Sequence, residues 1–139
     1  MSYLTDQLNF TDIHRVIQRF YLKARKHPTI GHFFDLIPDF SQHETKIAAF
    51  WWTALGGHIK DLPMKAPQID MINKHRVLGI QATDLNIWLS LFEQTLFEEL
   101  DEELAGIWQL RANEIASHLK KLVIDGESMG IKNKEPNKE

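Results

Sequence analysis

Apolar residues recur along this chain at spacings of three and four, the period of a helix buried on one side. Ile13, Val16, Ile17, Phe20 and Ala24 share one face of a helix predicted from about Thr11 to Arg25, with Thr11-Asp12 suited to its cap. His27-Pro28 stops it. A turn at Gly31 then leads into Phe33-Phe34. A second helix is predicted from Ser41 to Leu55 on Ile47, Phe50, Trp51, Ala54 and Leu55, ended by Gly56-Gly57. Residues 58–68 hold Pro63 and Pro67 and read as an extended loop. A short helix from about Ile69 to Val77 closes at Gly79. Thr83 is the expected cap of a helix reaching Leu100 through Leu85, Trp88, Leu89, Phe92 and Leu96. A last helix is predicted from Asp101 to Ile124 on Leu104, Ile107, Trp108, Ala112, Ile115, Ala116 and Leu119. The pattern contains no repeat and no strand-like alternation. Residues 1–125 therefore read as one all-α domain, and the polar residues 126–139 as a disordered tail.

Composition narrows the function classes. A chain of 139 residues builds one core, and 43% hydrophobic with 25% charged residues is ordinary for a globular protein. A net charge of −3 argues against nucleic-acid binding. No apolar run is long enough to span a bilayer, and the N-terminus lacks the basic and apolar regions of a secretion signal. The expectation is a cytoplasmic protein without a membrane partner. Cysteine is absent, which removes disulfides, thiolate-ligated haem and cysteine-bound iron–sulfur clusters. Histidine, methionine, tyrosine and carboxylates remain as metal ligands. The acidic residues Glu93, Glu98, Glu99, Asp101, Glu102 and Glu103 fit solvated helix positions, the later ones near the positive end of the last helix. His43-Glu44 begins like the zinc-protease His-Glu-x-x-His, but position 47 is Ile. Four Trp and eight Phe fit either a bulky core or the lining of a pocket.

The order of the aromatic and histidine motifs separates those two readings. Phe20-Tyr21-x-Lys-x-Arg, Ile30-Gly31-His32-Phe33-Phe34 and His43-x-x-x-Ile47-x-x-Phe50-Trp51 resemble the first half of a truncated haemoglobin. Ile87-Trp88-Leu89-x-Leu91-Phe92 and Arg111-Ala112-x-x-Ile115-Ala116 resemble its second half, with group III the most similar. The resemblance covers about residues 10–122. It implies a two-over-two helical sandwich around haem b, iron protoporphyrin IX.

In that resemblance His75 matches the proximal iron ligand, as neutral imidazole is in globins. Only His58 and His75 lie between the His43 helix and the Trp88 helix, and His58 follows the glycine pair in a loop. Tyr21, His43 and Trp88 match the residues that face a bound ligand. Phe34, Ile47, Phe50, Trp51, Ile72, Ile80 and Trp88 match the walls of the haem pocket, and Lys74 and Arg76 are candidates for its propionates. The group III pattern often has Pro-Met-x-x-His. Here Pro63-Met64 is followed by Pro67, and the tyrosine usual in that loop is missing. The conformation of residues 56–72 stays open.

The resemblance implies a monomeric protein binding O2, NO or CO. Detoxification of NO or peroxide would need an unidentified reductase, because 139 residues leave no room for a flavin or nicotinamide domain. A haem-free helical interaction or sensor module is the alternative. Its aromatic residues would be ordinary core.

Overall fold

The computed structural model describes residues 3–67 and 71–125. Five α-helices are described: α1 (Phe10–Ala24), α2 (Phe40–Ala54), α3 (Met71–Arg76), α4 (Ala82–Glu99) and α5 (Glu102–Leu119). Short 3-10 turns occupy Leu4–Asp6, Gly31–Phe34 and Ile59–Asp61, and a π turn covers Lys120–Ile124. α1 packs on α2, α4 packs on α5, and the two pairs meet where α1 crosses α4. That is the two-over-two sandwich of a truncated globin. The expected tail at 126–139 lies outside the described residues, as do positions 69 and 70 of the expected short helix.

Helix starts are set by side chains that satisfy the first free N–H groups. α1 begins earlier than Thr11, because Asn9 is its cap: Asn9 Oδ1 accepts from the Asp12 N–H at 2.8 Å. Asp12 returns the bond by accepting from the Asn9 N–H at 3.0 Å, a reciprocal pair that the choice of Thr11-Asp12 missed. α2 likewise begins at Phe40 under Asp39 rather than at Ser41. Thr83 does not cap α4; it lies inside the helix, and Asp84 accepts instead from the Gln81 N–H at 2.9 Å. Asp101 caps α5 through the Leu104 N–H at 2.9 Å.

The ends also follow local chemistry. Gly56 leaves α2 at φ 104°, and the Tyr3 ring lies where a side chain would stand. Gly79 takes φ 69° after α3. The expected extended stretch 58–68 contains the 3-10 turn at Ile59–Asp61, anchored where the Trp52 indole N–H donates to the His58 carbonyl at 2.8 Å. The last α-helix stops at Leu119, and residues 120–124 continue it as a π turn.

An aromatic stack forms the centre. Phe92 is fully buried between the rings of Trp88 (4.9 Å, 8° between planes) and Trp51 (5.4 Å, 20°). Trp108 meets both Phe92 and Trp51 at 5.7 Å, and Phe20 touches Phe92 edge-on at 5.2 Å. Offset and edge-on pairs of this kind add roughly 0.5–1.5 kcal/mol each to the burial of their area. Polar straps cross the same layers. Lys23 of α1 donates to Thr95 at 3.2 Å and to the Glu98 carboxylate on α4. Arg111 of α5 donates to the Ala54 carbonyl at 3.1 Å, which caps the C-terminal end of α2.

Candidate functional site

Tyr21 lies in the last turn of α1 on its buried face, one residue after Phe20, and its phenol reaches α2. The hydroxyl is 3.2 Å from Nε2 of His43. Rings close around it: Phe34 at 5.4 Å, Phe40 at 5.0 Å and the His43 imidazole at 5.5 Å, all at steep angles. Burial pushes the Tyr21 phenol well above its usual range, and the nearby Glu44 charge adds to the shift. Tyr21 therefore keeps its proton at every physiological pH.

His43 is half-buried, and its pKa is lowered from the ordinary 6.5. Burial is the first cause, followed by the positive charges of Lys46, His75 and Lys74. The last two belong to α3. Tyr21 and His43 are thus a neutral pair. If Nε2 is bare, the phenol donates to it. If Nε2 carries the proton, the ring donates to the phenol oxygen, and the phenol O–H is released toward the pocket.

Trp88 stands on α4 at the edge of the core. It stacks on Phe92 and meets Phe20 edge-on at 5.4 Å, which links it to the Tyr21 side of the site. Phe34, Ile47 and Phe50 are half-buried and packed against the core cluster. Ile72 and Ile80 are half-buried on either side of His75, itself half-buried in the last turn of α3. Below Phe50, a cavity of about 220 Å³ lies between α2 and the 59–67 segment, lined by Ala49, Thr53, Ile59, Leu62 and Ala66 among others.

Two of the expected site residues, one from the walls and one propionate candidate, have other partners. Trp51 faces inward, 3% exposed, in the stack with Phe92 and Trp108, so it supports the wall from behind. Arg76 is engaged with a backbone carbonyl of the C-terminal segment: its Nη2 donates to Leu122 at 3.1 Å.

Three residues belong to the site that the sequence reading passed over. Phe40 covers Tyr21, the Arg25 guanidinium lies 3.9 Å over the Phe40 ring, and Glu44 acts on the Tyr21 phenol. Burial raises the Glu44 pKa, and Arg25 opposes the shift. A signal for Phe40 was present. Positions 40, 43, 47, 50 and 54 share one helical face once Asp39 is taken as the cap.

No family model matches the chain. The group 3 truncated hemoglobin of Campylobacter jejuni is 29% identical over 126 residues, covering 85% of this chain and 93% of that protein. The crystal structure of group III truncated hemoglobin from Campylobacter jejuni superposes with a TM-score of 0.70, covering 84% of this chain and 91% of that one at 29% identity. The chain resembles the group III truncated haemoglobins and has their fold. In that truncated-globin frame, α1 and α2 carry Tyr21 and His43, α3 carries His75, and α4 carries Trp88.

The donor set around α3 fits a haem better than a bare metal ion. Among the described residues no group of three or more His, Asp or Glu could hold a metal ion. A lone imidazole suits a metal that brings its other ligands with it, as iron in a macrocycle does. Half-buried apolar walls suit the macrocycle, and the exposed Lys74 suits a carboxylate at its rim.

Proposed function

We propose that the chain is a b-type haem protein that binds diatomic gases, with His75 as the iron ligand and Tyr21, His43 and Trp88 around the bound gas. The observation that carries this reading is the Tyr21–His43 pair, joined at 3.2 Å and enclosed by Phe34 and Phe40, with the charges of Lys74 and His75 on α3 acting on His43. When bound, haem iron supplies the coordination position for O2, NO or CO. Phe34, Ile47, Phe50, Ile72, Ile80 and Trp88 would flank the macrocycle, and Lys74 would pair with a propionate. Tyr21 stays protonated and donates to the ligand when His43 holds its own proton on Nε2. The Trp88 indole N–H can only donate. His43, neutral near pH 7, can pass protons to a bound peroxide. Turnover of NO or peroxide would draw on a separate reductase.

A haemin titration of the purified haem-free protein, followed by absorbance, tests this. Stoichiometric binding with a sharp Soret band, lost or shifted in His75→Ala, is the expected result. No saturable band would leave a helical module of another function. An unchanged band in His75→Ala would move the ligand elsewhere, with His58 tested next.

A further inference from the structure

α3 has six residues, too few to hold a helical shape by its own hydrogen bonds. The position of His75 is therefore set by whatever α3 rests on. Among the described elements its main support is the π turn that follows α5. That turn is closed twice. The Asp125 N–H donates to the Lys120 carbonyl at 2.8 Å, and Lys120 Nζ pairs with the Asp125 carboxylate at 3.1 Å. π turns break the regular carbonyl ladder and recur at functional sites. Here the Leu122 carbonyl accepts from Arg76 through Nη2 at 3.1 Å and Nε at 3.4 Å. The Leu122 side chain is buried, so the turn is anchored in the protein. Arg76 is the residue immediately after His75.

We infer that Arg76 is a positioning residue: by gripping the Leu122 carbonyl it fixes α3, and with it the His75 imidazole, to the C-terminal π turn. This rests on His75 as the iron ligand. It assigns residues 120–125 a part in the site through the Leu122 carbonyl. A guanidinium suits the task because its fixed fork presents two donors to one oxygen, which an ammonium does not reproduce.

The test compares Arg76→Ala, Arg76→Lys and Asp125→Ala with the wild-type chain. In the haem-loaded protein, Arg76→Ala should still bind haemin one to one but release it roughly tenfold faster, as loss of a charge-assisted hydrogen bond would give. The iron–histidine stretching band of the ferrous protein should shift or broaden. Arg76→Lys should recover only part of the difference. Asp125→Ala, which loosens the turn without touching Arg76, should act in the same direction and be less than additive with Arg76→Ala. Haemin dimethyl ester decides between the grip and a propionate contact. A release rate that still rises in Arg76→Ala supports the grip. An effect that vanishes with the ester, or complete recovery in Arg76→Lys, overturns it.

The haem-free protein gives a readout independent of iron. The His75 ring resonances should move in both Arg76→Ala and Asp125→Ala. Unmoved resonances in both variants overturn the proposal. A loaded protein whose iron–histidine band survives His75→Ala overturns the ligand assignment, with the ring resonances still reporting on the grip.

Discussion

The two sides of the site are held by different means. Tyr21, His43 and Trp88 stand on helices of 15 to 18 residues, and their rings are locked into the aromatic core or into one another. His75 stands on a six-residue helix supported by a π turn. The side that would meet the gas is built in advance by packing. The side that would hold the iron depends on a few hydrogen bonds and, in this account, on the haem itself. A diatomic ligand is discriminated by donor positions good to a fraction of an ångström, which a rigid core provides. An iron ligand needs less prior order, because the bond it forms orders it, as ligand binding stabilises any state that binds.

The most damaging change to this contrast is Phe92→Ala. Removing a fully buried ring sandwiched by Trp88 and Trp51 should cost about 3–5 kcal/mol, measured by urea unfolding. A cost near zero would mean that the stack does not hold the Trp88 side. Next comes Tyr21→Phe in the haem-loaded protein. Losing one hydrogen bond to a polarised ligand is worth about 1.5–3 kcal/mol, so O2 should leave roughly ten to a hundred times faster in stopped flow. An unchanged rate would remove Tyr21 from the ligand. Asp101→Ala removes the α5 cap and should cost about 1 kcal/mol in the same unfolding assay. It should leave ligand kinetics alone, since Asp101 is exposed and its side chain bonds the first turn of α5.

The smallest effect is the pH dependence from His43. Its folded pKa lies below the ordinary 6.5, so the unfolded chain takes up the proton first. Its stabilising contribution is complete above about pH 6.5 and fades as pH falls from there through the folded value. Unfolding of the haem-free protein at pH 7.5 and pH 5.5 measures this. The loss on acidification should be smaller in His43→Gln, and an identical loss would contradict the shift.

The same contrast governs how much could be read from the sequence. The α1, α2, α4 and α5 faces were legible because long helices repeat their apolar period three or four times. Of the three residues expected around a bound gas, only Trp88 lies on a face that the period marks; Tyr21 and His43 were named through the resemblance. Helix starts were less legible. Ser, Thr, Asp and Asn all cap, and only the reciprocal Asn9–Asp12 pair decides among neighbours. That shift of one residue at α2 hid Phe40. The iron side was the least legible. A six-residue helix offers too little periodicity, and the partner of Arg76 is a backbone carbonyl 46 residues away. No side-chain pattern announces a carbonyl. The π turn at 120–124 reads in sequence as more α-helix, because its residues have no special signature.

The central claim is that the His75 imidazole on α3 holds haem iron. Imidazole rescue of His75→Gly tests it most directly. The variant should bind haemin weakly and with an altered Soret band. Free imidazole, added at millimolar concentration, should restore the wild-type spectrum, because the removed ring leaves room for its replacement. Wild-type binding by His75→Gly without imidazole, or a spectrum that imidazole leaves untouched, would contradict the account.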